Sequence, residues 1–160
     1  IQMPMQSAFI GWKQEPDDYL ERILGHDRLE KLNPIRTFRD NNIVVSFSSD
    51  APCTTPDPIA WMDRAVNNDN AGQAVSVQDA LRMCTYNGAW AAFDEQERGS
   101  LEAGKIADMA VLSENPYTVP KDKLSGLRVE RLYLSGKSYE SCRESILPMM
   151  LRGLTSRNKA

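Results

Sequence analysis

Ile43-Val44-Val45-Ser46-Phe47-Ser48-Ser49-Asp50-Ala51-Pro52 begins apolar and β-branched, shortens to hydroxyl side chains, and delivers a carboxylate just ahead of a proline. β-Branched and aromatic residues fit a pleated, half-buried surface, so residues 43–49 are expected to form a strand. Its start has little polar alternation and a helix is expected before it, which points to a parallel sheet covered by helices and an α/β fold. Asp50 then falls where the strand ends and the chain turns.

Upstream, Asn33-Pro34 predicts a helix with Asn33 as N-cap, Pro34 at the first helical position, Ile35 and Phe38 facing inward, and an end at Asn41-Asn42. Before it, Pro16-Asp17-Asp18 can open a helix whose apolar positions Tyr19, Leu20, Ile23 and Leu24 recur at helical spacing, closed by Gly25. Residues 1–9 read as extended, ending near Gly11-Trp12; Pro4 argues against a central antiparallel ladder but permits a short barrel strand.

Downstream, Asp57-Pro58 repeats the cap-then-proline signal, with Ile59, Met62, Ala65 and Val66 on one face. Ser76-x-x-Asp79 is a capping-box start for a helix with Val77, Ala80, Leu81 and Cys84 as its stripe; Asn87-Gly88 is expected to break it, with residues 89–93 resuming. From Gly99 to Lys105 the chain is turn-rich. Strands are then expected at residues 107–112 and 129–134, followed by a Ser135-Gly136 turn and a short run at 138–140, a small β element beside the α/β part. Residues 143–154 read as helical, interrupted at Pro148. No repeat with a period of 20 to 50 residues is visible.

The chain has 160 residues, 41% of them hydrophobic and 26% charged, enough to bury the core of about one domain. Its apolar runs are too short to span a bilayer. A single histidine, His26, excludes a HExxH site, a His-x-His pair or a Cys2His2 finger built from this chain alone. Cys53, Cys84 and Cys142 form no CxxC pair and are odd in number, which favours a reducing compartment and hence the cytoplasm. The chain starts at Ile1 without a signal-peptide pattern, and the expectation is a fragment of a longer protein. Net charge is −3 overall but −2, −6 and +5 over residues 1–50, 51–120 and 121–160. The bases of the last segment are dispersed without aromatic interleaving, so neither nucleic acid nor membrane is expected as a partner.

Four side chains are candidates for chemistry. A carboxylate at the C-terminal end of a parallel strand, as at Asp50, can ligate a metal and exchange protons with metal-bound water; the competing reading is an Asx turn capping Ala51-Pro52. Arg36, near the start of the helix preceding that strand, could reach an anionic substrate group, or be a surface helix residue. His26 sits in a polar linker between two expected helices, where a histidine is most often a surface residue. Cys53 could line the same mouth as Asp50, but has no histidine nearby in sequence to activate it. Gly99 to Gly104 is no phosphate loop, because it lacks the GxxxxGK[ST] pattern and precedes a strand.

The strand ending in Ser49-Asp50-Ala51-Pro52 resembles the last barrel strand of the amidohydrolase superfamily. The run Ser76-Val77-Gln78-Asp79-Ala80-Leu81, then Thr85-Tyr86-Asn87-Gly88-Ala89, then Gly99-Ser100-Leu101-Glu102-Ala103-Gly104-Lys105-Ile106-Ala107-Asp108-Met109-Ala110-Val111-Leu112, is similar to the C-terminal hallmark of that superfamily. With Asn115-Pro116 and residues 129–137 following in order, the chain resembles the branch containing N-substituted formamide deformylases, over about residues 1–139.

The resemblance implies the C-terminal part of an eightfold β/α TIM-barrel metal-dependent hydrolase plus part of a small β-sandwich. Residues 1–98 would carry the last two barrel strands and their helices, residues 99–140 the strands of the sandwich, and residues 141–160 a helical tail. It implies one or two divalent metals, usually zinc, in the complete enzyme, with Asp50 as the one metal and proton-transfer residue carried by this chain and no metal in the chain alone. The implied reaction is hydrolysis of a C–N bond in a small amide or formamide-like substrate, Asp50 taking a proton from metal-bound water and returning it to the leaving nitrogen. The isolated chain is expected to be inactive. It is also expected to self-associate as a homo-oligomer, through an apolar barrel interior exposed around Ile43, Val45 and Phe47. The alternative is a non-catalytic regulatory or interaction module derived from this fold, since some relatives of the branch are exoenzyme regulators.

Overall fold

The structure, a computed structural model, describes residues 1–10 and 19–139. Strands β1 (Gln2–Met5) and β2 (Val44–Phe47) pair in parallel, with Met3 opposite Val45 and Met5 opposite Phe47. The backbone N–H groups of Val44 and Ser48 donate to the carbonyls of Ile1 and Met5 at 3.2 and 3.0 Å. Alternate residues of a parallel strand bond to alternate sides, so Pro4, in register with Ser46, turns its ring nitrogen to the outer edge and costs no rung with β2. The expected strand is there but shorter than residues 1–9, because Ser7–Phe9 tighten into a 3-10 turn. Its Ser7 is fully buried and donates its hydroxyl to the Trp61 carbonyl at 3.1 Å.

The described residues contain six α-helices, α1 (Tyr19–Leu24), α2 (His26–Leu29), α3 (Ile35–Asp40), α4 (Pro58–Val66), α5 (Val77–Cys84) and α6 (Tyr86–Ala91), of which α3, α5 and α6 pack on β2. Val45 and Phe47 join Ile35, Met62, Ala65, Val66, Ala80 and Met83 in one buried cluster. The exposed apolar face expected around Ile43, Val45 and Phe47 is therefore absent. Side chains alternate across a strand, and the odd-numbered residues of β2 point into the helix layer, leaving Val44 and Ser46 for the opposite face.

Both strong caps form as their sequences require. Asp57 Oδ1 accepts from the Ile59 N–H at 3.0 Å at the start of α4, and Ser76 and Asp79 bond reciprocally at the start of α5. Two other expectations are corrected. Asn33 does not cap α3: it sits at φ +49°, Pro34 takes the flanking position, and the Pro34 carbonyl accepts from Phe38 N–H at 2.9 Å. A residue ahead of proline is disfavoured in the α region, and Asn tolerates the left-handed one. Asn87-Gly88 does not break the helix but lies inside α6; the break falls at Thr85, whose backbone leaves the helical region and whose hydroxyl donates to the Leu81 carbonyl at 2.8 Å.

The stripe of α1 is exposed at Tyr19, Leu20 and Ile23 rather than packed inward, although Gly25 closes the helix at φ +75° as expected. Pro16-Asp17-Asp18, its expected start, lies outside the described residues, as does the expected helix at 143–154.

Strands β3 (Met109–Leu112), β4 (Val129–Leu134) and β5 (Lys137–Tyr139) make the small β element, with β3 starting two residues later than expected and all pairs antiparallel, in the order β3-β4-β5. The segment leading into it is tied to the α/β part: Leu124 and Leu127 are buried in the same cluster as Met62, and Asn67 Nδ2 donates to the Lys121 carbonyl at 2.8 Å. Gly99, at φ +86°, presses against α6 so closely that a Cβ there would stand 2.7 Å from the Ala89 Cβ and 2.9 Å from the Tyr86 Cα. No helix among the described residues is long and apolar enough to cross a membrane.

Candidate functional site

Asp50 stands beyond the C-terminal end of β2, exposed, with φ +54°. Its backbone is restrained on both sides. The Asp50 carbonyl accepts from the Cys53 N–H at 2.8 Å, Ser49 Oγ accepts from the Ala51 N–H at 3.1 Å, and Thr54 Oγ1 donates to the Ser49 carbonyl. Ser49, not Asp50, therefore supplies the turn's side-chain cap. Among the described residues no hydrogen bond or ion pair engages the Asp50 carboxylate, which is left open to an incoming group. Ser49 and Thr54 were not singled out from sequence; the signal was the cluster of hydroxyl residues Ser48, Ser49, Thr54 and Thr55 flanking Asp50.

A groove of about 660 Å³ runs beside this turn, lined by Ala51, Pro52, Cys53, Thr54 and, from α4, Ala60 and Arg64. Cys53 lines this groove as an exposed free thiol, whereas Asp50 is not among the groove's lining residues. Cys84 differs: it is packed against the core, and burial pushes its thiol up to about 12, so it stays protonated near neutrality.

Arg36 lies on the outer side of α3, half exposed, with its Nε 3.6 Å from Asp40 Oδ2, and no contact joins it to Asp50. His26 opens α2 rather than lying in a loop, and its ring nitrogens stand 3.4 and 3.5 Å from Glu21 and Glu30 on an exposed surface. Sequence reading also missed Asn87, whose Nδ2 donates to the Val45 carbonyl at 2.7 Å and fastens α6 to the strand that carries Asp50.

A resident metal needs several converging donors, and the described residues contain no group of three His, Cys, Asp or Glu side chains that could hold one. Asp50 is one open carboxylate at the right edge of a parallel sheet. By itself it does not fit a metal centre.

The profile of the amidohydrolase family matches residues 1–139. The chain is 36% identical over 136 residues to the N-substituted formamide deformylase of Arthrobacter pascens, covering 81% of this chain and 23% of that protein. It is 28% identical over 128 residues to the 5-methylthioadenosine/S-adenosylhomocysteine deaminase of Caldanaerobacter subterraneus subsp. tengcongensis, covering 69% and 29%. An uncharacterized metal-dependent hydrolase from Pyrococcus horikoshii OT3 superposes with a TM-score of 0.64 at 26% identity, covering 76% of this chain and 26% of that one. The chain thus spans about a quarter of the length of the relatives it matches. A parallel strand pair under helices, an aspartate at its C-terminal edge and a profile match over residues 1–139 give the resemblance read from sequence its confirmation: the chain belongs to the amidohydrolase family.

Proposed function

We propose that this chain is the C-terminal part of a metal-dependent hydrolase that cleaves a C–N bond in a small amide or formamide-like molecule, with Asp50 as its proton-transfer group. The observation that carries the reading is the open Asp50 carboxylate, held by its backbone at the C-terminal edge of the β1–β2 pair. A carboxylate there can take a proton from an attacking water and pass it to the departing nitrogen, work worth about 10²–10⁴-fold in rate. The names of the deformylase and deaminase relatives support C–N chemistry. One or two divalent metal ions, zinc in the first instance, would be shared between Asp50 and histidine donors that this chain, with its single His26, does not supply, and on this reading the chain alone is inactive. On this reading residues 1–98 are the barrel share and residues 99–139 a share of a β-sandwich, while residues 140–160 lie outside the described residues. Free Cys53 and Cys84 support the cytoplasm as its compartment; the proposed homo-oligomer would have to use a surface other than Val45 and Phe47, which are buried.

The test is Asp50→Asn in the full-length protein, with turnover, metal content and thermal midpoint measured together. Asparagine keeps the size and the left-handed tolerance of the position but accepts no proton, so turnover should fall by about 10²-fold or more with the midpoint held. Unchanged turnover removes Asp50 from the mechanism. The absence of a three-donor group among the described residues favours one second reading, a non-catalytic interaction module. A folded full-length protein without metal or hydrolase activity would establish that reading instead.

A further inference from the structure

We propose that Thr54 is a positioning residue for Asp50, its hydroxyl fixing the direction in which the carboxylate leaves the strand end. The inference rests on the reading of Asp50 as the proton-transfer group. Two peptide units flank the Asp50 Cα, and each is planar, so holding both fixes the Cα–Cβ direction. The unit after Asp50 is held twice, its carbonyl by the Cys53 N–H and its N–H by Ser49 Oγ. The unit before Asp50 has its carbonyl, that of Ser49, held by Thr54 Oγ1.

Asp50 at φ +54° occupies a region that aspartate tolerates but does not favour, so releasing one restraint lets the turn relax. Thr54 is half-buried while residues 50–53 are exposed, which makes it the inner post of the turn. Its own place is referred to α4: the Thr55 carbonyl accepts from Trp61 Nε1 at 3.2 Å and from the Asp57 N–H at 2.8 Å. The order of dependence runs from α4 through Thr55 and Thr54 to Ser49 and then Asp50. Cys53 and Asp50 share the turn without being needed for this bracing by their side chains.

The experiment compares Thr54→Val with Thr54→Ser. Valine keeps the shape and β-branching but removes the donor, whereas serine keeps the donor. In the full-length protein Thr54→Val should lower kcat about 10-fold with KM within about twofold, and Thr54→Ser should restore most of it. In the same full-length protein, amide exchange at Ala51 and Cys53 should speed up about 10-fold in the valine variant, with the amides of α4 unchanged. Wild-type kcat in Thr54→Val beside an inactive Asp50→Asn overturns the positioning role alone, as does serine behaving like valine. If Asp50→Asn keeps its turnover, the reading beneath has failed, and the exchange rates alone decide whether Thr54 braces this backbone. Should the valine variant not fold, Thr54→Ala replaces it in the same comparison with serine, and equal kcat in the two overturns the proposal.

Discussion

In the β1–β2 pair, Val45 and Phe47 are 1% and 9% exposed beneath α3, α5 and α6, whereas in the β3-β4-β5 sheet Val111, Val129 and Leu134 remain 43%, 50% and 45% exposed. The first sheet is held by burying apolar side chains, which contributes roughly 25 cal/mol for each Å² removed from water. The second relies on directional polar contacts at its ends. Arg98 pairs with Asp108, Asp108 Oδ1 accepts from the Ser135 N–H at 2.8 Å, and Ser113 and Arg128 exchange bonds of 2.8 and 3.1 Å. A small sheet with apolar residues open on its surface is marginal alone and gains most from whatever covers it. The two sheets of one chain thus differ in how far their apolar side chains are withdrawn from water.

The largest contrast between the two sheets should come from truncating an apolar side chain beside each of them. Ile35→Ala empties a fully buried site under β2 and should cost about 2–5 kcal/mol in urea unfolding, while Val111→Ala should stay within about 0.5 kcal/mol. Similar losses for the two would show that the antiparallel sheet has a core of its own.

A smaller contrast compares polar contacts. Ser76→Ala removes the capping box of α5 and should cost about 1 kcal/mol; Ser113→Ala removes a bond to the exposed Arg128 N–H and should cost less than about 0.5 kcal/mol. A larger effect at Ser113 would mean that the sheet's end contacts are cooperative.

The smallest effect is in the acid range. Burial pushes the Asp79 carboxyl up, but the Ser76 hydroxyl at 2.7 Å and Arg39 Nη1 at 2.5 Å outweigh it and hold the group below its ordinary value. A carboxyl with a depressed folded-state pKa adds stability above its unfolded pKa and loses it as pH falls through the folded value. The stability gap between wild type and Asp79→Asn should therefore be full and constant above about pH 5 and close as the pH falls below about 4. A gap independent of pH would show that Asp79 acts only as a neutral hydrogen-bond acceptor.

Local signals were legible wherever one or two neighbouring residues settle the backbone. Asp57-Pro58 and Ser76-x-x-Asp79 declared their helices, and the β-branched run at residues 43–47 declared β2. Asn33 was misread because asparagine also tolerates the left-handed conformation it takes ahead of Pro34, and Asn87-Gly88 because it is compatible with two conformations and a distant partner chose between them. For Asn87 the choice was the Val45 carbonyl, 42 positions away in sequence. At the site, Asp50 was legible as a carboxylate at a strand end. That Ser49 rather than Asp50 caps the turn, leaving the carboxylate open, was not.

What could be read without the fold was β2, the capped starts of α4 and α5 and the placing of an aspartate at the edge of a parallel strand, because these follow from propensities and bonds within a few residues. Tertiary structure alone decided which face of β2 enters the core, where Thr54 reaches, and how Arg36 is spent on Asp40. Side-chain alternation leaves two faces equally available until helices pack on one of them, and a hydroxyl or guanidinium bonds whatever the completed fold brings within about 3 Å.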